Sequence, residues 1–385
     1  MNEYRCSRRH ALRVMGGAAA SFGLSSSGFS FTGKAPTTPV AVGTCQTYGR
    51  DVLPALETVF DQLGGLANLV KGKTVAMKLN LTGGPADRLQ NMPLELTHWV
   101  HPDVIGAMIH LLDKAGARRV RLLESPWSTA EPLEEFMRQA GWEPQRFLSL
   151  APRVEFENTN FLGSGKSYSR FMVPGGGLMF KGYDLNHSYA DCDVFVSLAK
   201  LKEHSTAGVT LSSKNCFGIT PSTIYGRGAG IHEPSLLPRG GRGLLHDGHR
   251  DPSTSAPPPT SADVSRDPGF RVPRVTADLV AARPVHLAVI DGIQTMTRGE
   301  GPWVRGGKPV QPGLLVAGRN CVTTDAVATA LMGFDPMADH GTAPFEKCSS
   351  TLRLAEQLGV GTRNLARIEV RGASIAKVRF NFRSA

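Results

Sequence analysis

The strongest constraint on the fold is a regular alternation of strand-like and helix-like segments in the first half of the chain. Residues 73–81 (KTVAMKLNL) and 119–123 are short, largely apolar runs of the kind that form buried strands. Residues 102–115 and 133–140 place apolar residues at helical spacing, and a glycine follows each run. Successive parallel strands need a crossover connection, which is usually a helix. This order therefore predicts a parallel sheet with helices packed on its faces.

The remaining segments extend this pattern to a single α/β domain over residues 35–385. The sequence predicts further strands at residues 39–44, 194–198, 285–290, 313–317 and 368–370, and further helices at residues 51–69, 275–282, 323–332 and 349–358. We therefore expect a doubly wound, mostly parallel sheet. Residues 153–181 are rich in strand formers and glycine, which predicts a smaller β-rich extension. Residues 233–272 are rich in Pro, Gly, Ser and Arg, which predicts a long mobile insertion.

The charge of the chain is moderately basic. Lys and Arg number 43 against 33 Asp and Glu, which gives a formal net charge of +10. No polybasic run and no basic patch interleaved with aromatic residues accompanies this excess, so nucleic acid is not an expected partner. A basic surface with a local site for a small anionic ligand is the interpretation that we favour.

The six cysteines lack the spacing of a metal or cluster motif. They stand at positions 6, 45, 192, 216, 321 and 348, and no CxxC pair occurs. The sequence therefore encodes neither a cysteine zinc site nor an iron–sulfur run, and no motif identifies a cofactor. We expect buried free thiols, with a Cys192–Cys216 disulfide as the alternative.

The amino-terminal segment resembles an export signal. Arg8 and Arg9 follow Ser7 in a basic head, and a weakly apolar stretch over residues 11–24 comes next. This stretch is too short for a membrane span, and the segment resembles a twin-arginine signal that the export machinery reads as an address. Residues 1–34 are therefore predicted to direct the folded protein to the periplasm, with membrane contact only through the leader, whether it is cleaved or retained. A transit peptide or a disordered basic tail is the alternative.

A dense run of titratable residues follows a predicted buried strand within residues 191–220. Lys200, Lys202 and His204 stand at alternate positions after the apolar residues of this strand. Alternate residues of an extended chain share one face. Ligands of open α/β sheets bind beyond the carboxyl ends of the strands, so we interpret this segment as one wall of a crevice.

Other predicted strand ends add polar side chains to the same edge of the sheet. The predicted catalytic residues are Lys200, Lys202, His204 and Glu124, and the predicted ligand-binding residues are Lys78, Asn80, Lys214, Asn215, Asp291 and Asp325. Several ammonium groups in one crevice repel one another unless they pair with anions, which favours a carboxylate or phosphate ligand. Crowding would also depress a lysine pKa, as a general base or a carbonyl-attacking amine requires. A structural ion-pair network without a ligand is the alternative.

Histidines give a weaker signal for a single metal ion. His98, His101 and His204, together with Glu124, carry metal-ligating side chains, but an HxxH spacing in a loop is not diagnostic. The His-Asp-Gly-His run at residues 246–249 lies in the predicted mobile insertion, where solvated histidines are the simpler interpretation.

Five runs of residues, taken in order, form a recognisable set. They are KLN at 78–80, HPDVIGAMIHLLDKAGARRVRLLES at 101–125, DVFVSLAKLKEHSTAGVTLSSKNCFG at 193–218, DLVAARPVHLAVIDGIQTMTRGEGP at 278–302 and TDAVATALMGFDP at 324–336. Together they resemble a family named only as domain of unknown function 362, over residues 73–336 without the insertion. Some members of that family carry an added iron–sulfur domain, but this chain has no such cysteine run. The resemblance implies a fold and a pocket, and it supplies no settled activity.

These observations favour an exported enzyme that acts on a small anionic substrate by acid–base or redox chemistry. Two alternatives stay open. A periplasmic ligand-binding or cofactor-delivery protein would use the same lysines without turnover. A structural partner of a membrane redox complex would use residues 233–272 as its contact surface.

Overall fold

The computed structural model describes residues 33–261 and 264–385. The predicted twin-arginine head and apolar stretch therefore lie outside the described residues. Within the described ranges, no helix is both long enough and apolar enough to cross a membrane. These ranges form one large sheet flanked by helices and three small two-stranded sheets, so the predicted α/β fold class is confirmed.

The described residues contain fourteen strands and twelve α-helices. The strands are β1 (Val40–Thr44), β2 (Thr74–Lys78), β3 (Arg119–Glu124), β4 (Val154–Asn158), β5 (Ser169–Met172), β6 (Gly182–Leu185), β7 (Val194–Lys200), β8 (Glu203–His204), β9 (Gly208–Val209), β10 (Leu287–Gly292), β11 (Thr295–Met296), β12 (Pro309–Val310), β13 (Leu314–Gly318) and β14 (Val370–Gly372). The helices are α1 (Val52–Gln62), α2 (Ala67–Val70), α3 (Pro102–Lys114), α4 (Leu133–Gln139), α5 (Gln145–Leu148), α6 (Leu211–Asn215), α7 (Ser222–Tyr225), α8 (Gly243–Asp247), α9 (Pro268–Ala282), α10 (Cys321–Leu331), α11 (Thr351–Gln357) and α12 (Ile375–Val378).

The large sheet has the strand order β14-β1-β13-β10-β7-β2-β3-β4. Neighbouring strands pair in parallel, except that β13 runs antiparallel between β1 and β10. From β2 the chain winds outward through β3 to β4, and it then returns to the other side of β2 at β7. The boundary between β2 and β7 is therefore a topological switch point, which is where open α/β sheets bind ligands.

The central strands divide the core into two hydrophobic layers. Val194 and Val196 of β7 belong to the layer that includes apolar residues of α1 and α3. Phe195 and Ala199 belong to the layer that includes apolar residues of α9 and α10. Because successive side chains of a strand point to opposite faces, the position of a residue along a strand decides which layer it joins.

The β-rich part predicted at residues 153–181 divides between two sheets. Strand β4 pairs in parallel with β3 and forms an edge of the large sheet. Strands β5 and β6 form a separate antiparallel hairpin. The region is therefore partly an extension of the main sheet and partly a small sheet of its own.

The segment predicted as an insertion, residues 233–272, contains α8 and the beginning of α9. Leu244 and Leu245 of α8 are buried, and Arg271 of α9 donates a hydrogen bond to the Leu244 carbonyl at 3.1 Å. Helix α9 begins at Pro268 rather than near residue 275, because a proline is well suited to the first helical position. The mobility of this segment stays a prediction.

The cysteines of the described residues are free. Cys45, Cys216, Cys321 and Cys348 are buried, and Cys192 is half-buried. The alternative Cys192–Cys216 disulfide is not formed. Cys6 lies outside the described residues.

Asp278 fixes α9 to the segment that precedes β6. Its buried carboxylate accepts the backbone N–H groups of Leu178, Met179 and Phe180 at 2.6, 2.8 and 3.2 Å. The Tyr183 hydroxyl donates to the same carboxylate at 3.1 Å. One side chain therefore satisfies three backbone donors that would otherwise be buried without a partner.

We expect the Asp278→Ala variant to lose about 2–4 kcal/mol of unfolding free energy, because its buried donors would lose their acceptor. Chemical denaturation followed by circular dichroism measures this change. Asp267→Ala is the control, since Asp267 stands exposed at the start of the same helix and makes no capping hydrogen bond. Equal losses in the two variants would contradict the structural role of Asp278.

Candidate functional site

A cavity of about 550 Å³ lies beyond the carboxyl ends of β2 and β3. Its walls come from segments that are far apart in sequence, within residues 78–87, 124–127, 204–218, 227–246 and 300–303. We call this cavity the central pocket. It lies at the boundary between β2 and β7, the switch point at which α/β folds form ligand sites.

A buried ion pair joins the ends of β2 and β3 at this pocket. Lys78 Nζ lies 2.7 Å from Glu124 Oε1, and the two side chains are 2 % and 4 % exposed. The other hydrogen bonds of Glu124 come from the backbone N–H groups of Leu81 and Ser125, each at 3.0 Å. Each charge of the pair is therefore neutralised within the protein.

Asn215 connects β2 to β7 through its side-chain amide. Its Nδ2 donates to Ser197 Oγ at 3.0 Å and to the Leu198 carbonyl at 3.3 Å. Its Oδ1 accepts from Lys78 Nζ at 3.2 Å and from Asn80 Nδ2 at 3.0 Å. These partners assign the orientation of the amide. The structure thus brings together three predicted ligand-binding residues, Lys78, Asn80 and Asn215, which also bind one another.

Lys214 reaches the same pocket from the last turn of α6. Its Nζ lies 4.2 Å from the centre of the Phe217 ring. Within residues 33–261 and 264–385, no carboxylate or hydrogen-bond acceptor pairs with this amine. Burial lowers the pKa of Lys214 to about 7, with Arg242 and Lys78 adding to the shift and Glu300 opposing it. A lysine with a lowered pKa can exchange a proton near neutral pH.

Arg242 is a second cation of the pocket, and it comes from the predicted insertion. Its Nε donates to the Thr220 carbonyl at 2.9 Å, and its Nη2 donates to the carbonyls of Ser125 and Gly218 at 2.6 and 3.1 Å. No carboxylate of the described ranges lies within ion-pair distance of this guanidinium. The carbonyls fix its position without supplying a counter-charge, and the Glu124 carboxylate, which pairs with Lys78, acts on it only from a distance.

His204 and Glu300 form another part of the wall. His204 Nδ1 accepts the Thr206 N–H at 3.2 Å, which assigns the proton of a neutral ring to Nε2. Burial lowers the pKa of His204 well below its ordinary value, although Glu300 opposes the shift, so the ring is neutral near pH 7. Glu300 accepts the Ser205 N–H and the Trp303 Nε1–H, each at 2.9 Å. The pocket therefore presents a neutral imidazole beside a carboxylate that has its own donors.

Lys200 and Asp291 form a pair away from the central pocket. Lys200 Nζ lies 2.8 Å from Asp291 Oδ2, both side chains are fully buried, and the Tyr48 hydroxyl donates to Asp291 Oδ1 at 2.9 Å. Along β7, Lys200 shares the face of Val194 and Val196, which belongs to the layer of α1 and α3. The catalytic role predicted for Lys200 and the ligand-binding role predicted for Asp291 are not supported by this placement.

Lys202 is also buried outside the pocket lining. Its Nζ donates to the carbonyls of His98 and Glu300 at 2.7 and 3.1 Å and to Thr82 Oγ1 at 3.1 Å. Since three oxygens use its three donors, Lys202 holds together the loops on either side of the pocket. The chain then turns into the β8–β9 hairpin, which directs His204 into the pocket while Lys202 stays behind it.

Asp325 positions the pocket without entering it. Helix α10 begins at Cys321, so Asp325 stands inside this helix rather than at its start. Its carboxylate accepts the N–H groups of Ser212 and Ser213 at 2.8 and 2.7 Å, in the first turn of α6. Asp325 therefore fixes the short helix that carries Lys214, and this correction replaces its predicted contact with a ligand.

The three histidines that were predicted as metal ligands have separate contacts. His98 Nδ1 lies 3.0 Å from Thr97 Oγ1. The His101 ring stacks on Tyr48, with 3.5 Å between the ring centres. In the part of the chain that the structure describes, no group of three or more His, Cys, Asp or Glu residues could hold a metal ion. The structure therefore does not bring His98, His101 and His204 together as ligands.

Several further residues line the pocket without having been predicted as site residues, among them Trp127, Arg242, His246, Glu300 and Trp303. His246, predicted as a solvated histidine, packs against Phe217 with 4.8 Å between ring centres. The glycines that flank Arg242 in the run Gly-Gly-Arg-Gly could have marked it as a site residue, because glycine lets the backbone approach a site closely. Because this segment was predicted to be a mobile insertion, Arg242 was not predicted as a site residue.

We expect the Lys78→Met variant to lose about 3–5 kcal/mol of unfolding free energy, because Glu124 would remain buried without its cation. The double variant Lys78→Met/Glu124→Gln should recover much of this loss, since no unpaired charge remains. Denaturant unfolding of the single and double variants measures both effects. A double variant as unstable as Lys78→Met would show that shape, and not charge pairing, dominates at this position.

The buried Asp325 carboxyl should make the stability of the protein depend on pH. Burial raises the pKa of Asp325 from its ordinary 3.8 to about 7, although the Ser213 hydroxyl and the Ser212 and Ser213 N–H groups oppose the shift. The unfolded chain then loses this proton at lower pH than the folded protein, so the contribution of Asp325 to stability falls as pH rises from about 4 to about 7. The stability advantage of the parent over Asp325→Asn should shrink over this window.

Unfolding free energies at several pH values test this trend, with Asp335→Asn as the control because Asp335 is exposed. An advantage that grows with pH would mean that the folded protein favours the charged form of Asp325.

Comparison with known proteins identifies the family of the chain. The family model described as Domain of unknown function (DUF362) matches residues 75–330. A thylakoid-associated protein of Synechocystis sp. is 23 % identical to this chain over 286 residues, which cover 74 % of this chain and 71 % of that protein. The match to the family model spans more than half of the chain and includes every residue that lines the central pocket. The chain therefore belongs to the family Domain of unknown function (DUF362).

Proposed function

We propose that this protein is an enzyme that binds a small anionic substrate in the central pocket and acts on it by acid–base chemistry. One observation carries the proposal. Lys214 and Arg242 line the pocket, and neither has a carboxylate partner among the described residues. Both side chains are half-buried in the wall of the cavity. Two cations brought together in a partly desolvated site without a carboxylate partner favour an anionic ligand.

Arg242 is suited to bind the anionic group. Three backbone carbonyls hold its guanidinium in place before any ligand arrives. A preorganised donor loses less conformational entropy on binding than a mobile surface side chain does. A carboxylate or a phosphate oxygen would match the geometry of the donors that remain.

Lys214 is suited to the chemical step. A general base works best when its pKa lies near the working pH, and burial lowers the pKa of Lys214 to about 7. Its uncharged amine would accept a proton from the substrate or attack a carbonyl group. His204, with its proton on Nε2, would donate a hydrogen bond to the same ligand. Redox chemistry in this pocket is the second form of the proposal, and it would require a cofactor.

A ligand-binding or cofactor-delivery protein without turnover is the main alternative, and it would use Lys214 and Arg242 in the same way. A structural partner of a membrane redox complex is the third reading. The burial of α8 and the contribution of residues 227–246 to the pocket wall weigh against a purely external role for this segment.

We also propose that the protein is exported by the twin-arginine route and meets the membrane through its leader. The support is the Ser7-Arg8-Arg9 head of the sequence and the description of the Synechocystis relative as thylakoid-associated. Both point to a protein that works at or beyond a membrane.

Inorganic phosphate should raise the melting temperature of the protein, and Lys214→Met should weaken the apparent phosphate affinity at least tenfold. The reason is that a charge-assisted hydrogen bond contributes about 1.5–3 kcal/mol. Differential scanning fluorimetry over a phosphate titration measures the affinity. Lys347→Met is the matched control, because Lys347 is exposed and distant in sequence from the pocket segments.

Identical phosphate titrations for the parent and for Lys214→Met would contradict the proposal. Stabilisation that Lys347→Met reduces as much as Lys214→Met would also contradict it, because that result would indicate general charge screening.

A further inference from the structure

We propose that the anionic ligand of the central pocket carries a planar, conjugated ring, and that Trp127 and Trp303 bind this ring. This inference rests on the proposed anion site and adds the chemical class of the ligand. The anionic group would pair with Lys214 and Arg242, and the ring would lie against the two indoles.

The tryptophans of the chain divide into two pairs. Trp99 and Trp142 are buried in the core at 0 % and 8 % exposure, where they contact each other edge to face. Trp127 and Trp303 are 56 % and 49 % exposed, and both line the central pocket. Large indole surfaces that are left open in a concave site mark a binding surface more often than they mark packing.

Directed contacts hold the Trp303 indole, and both exposed indoles lie close to glycine backbone. Trp303 Nε1 donates to Glu300 Oε1 at 2.9 Å, and the His98 ring contacts the indole edge to face with 5.8 Å between ring centres. A Cβ atom at Gly301 would collide with the Trp303 indole, and one at Gly241 would collide with the Trp127 indole. Glycine at these positions lets each indole lie close to the backbone of a neighbouring pocket segment.

The interior of the pocket continues this aromatic character. Phe217 lies beneath the Lys214 amine and contacts the His246 ring. Rigid aromatic faces favour a flat partner, because offset stacking and edge-to-face contacts depend on the charge distribution of both rings. A saturated chain or ring of equal size gains only the burial of apolar area. The combination of indoles with cations that lack a carboxylate partner therefore fits an aromatic or heteroaromatic anion.

A comparison of benzoate with cyclohexanecarboxylate separates the contribution of ring stacking from that of apolar burial. Both carry one carboxylate on a six-membered ring, and cyclohexanecarboxylate has the more hydrophobic ring. Burial of apolar area alone would therefore favour cyclohexanecarboxylate. We expect benzoate to bind the full protein about three- to tenfold more tightly in isothermal titration calorimetry, because stacking adds to its affinity.

Variants of Trp303 test whether the preference for benzoate over cyclohexanecarboxylate depends on this indole. Trp303→Leu should abolish the preference for benzoate, whereas Trp303→Phe, which keeps a flat ring, should retain it. Both variants should still bind phosphate, because Lys214 and Arg242 are retained, and this measurement also shows that they fold.

The outcomes distinguish the two proposals. If phosphate binds but the parent binds cyclohexanecarboxylate as tightly as benzoate, or more tightly, the ring inference is wrong and the anion site stands. If Trp303→Leu keeps the preference for benzoate, the assignment of the ring to Trp303 is wrong. If none of the three anions binds, the proposed anion site fails, and the ring inference fails with it.

Discussion

A charge buried in a protein must find a partner, and this requirement organises the central region of the molecule. Lys78 pairs with Glu124, and Lys200 pairs with Asp291, each pair within 2.8 Å. Lys202 gives its three donors to three oxygens. Lys214 differs from these lysines, since the described residues supply no acceptor for its amine. The difference between paired and unpaired cations separates the structural lysines from the functional candidate.

The fold explains why the unpaired amine lies where it does. Helix α6 is only five residues long, and its first turn is held by the Asp325 carboxylate from α10. The amide of Asn215, the last residue of α6, binds groups on β2 and β7. With α6 fixed at both ends, Lys214 projects into the cavity at the switch point of the sheet. Burial lowers the pKa of Lys214, and the neighbouring cations Arg242 and Lys78 add to the shift while Glu300 opposes it.

Much of the architecture could be predicted from the sequence because it depends on local patterns. The alternation of apolar runs and helical periodicity located most strands of the main sheet and its longer helices. Of the polar residues predicted at strand ends, Lys78, Asn80 and Glu124 line the central pocket. The prediction was less accurate where the outcome depends on distant contacts. Lys200 and Lys202 share a face as expected, but pairing of β7 with β2 and β10 assigns that face to the layer of α1 and α3. The alternation of residues along one strand shows which side chains share a face, but it does not show which helices pack on that face.

The insertion illustrates a second limit. Its composition resembles that of mobile loops, yet Arg242 and His246 line the pocket and Leu244 and Leu245 are buried. The composition of a segment shows how much apolar surface it can bury by itself. It does not show which other parts of the protein pack against that segment. Trp127 and Trp303 were missed for a related reason, since an isolated tryptophan in a loop has the same sequence signal in a core and in a binding site.

The titration of Lys214 itself is the most direct test of this account. Heteronuclear NMR of isotope-labelled lysine side chains, with the resonance assigned by its loss in Lys214→Arg, gives the pKa of this amine. We expect a pKa of about 7 in the free protein and a rise when phosphate is added, because a bound anion favours the charged form. A Lys214 pKa near the ordinary value of about 10.4 that does not respond to phosphate would contradict it.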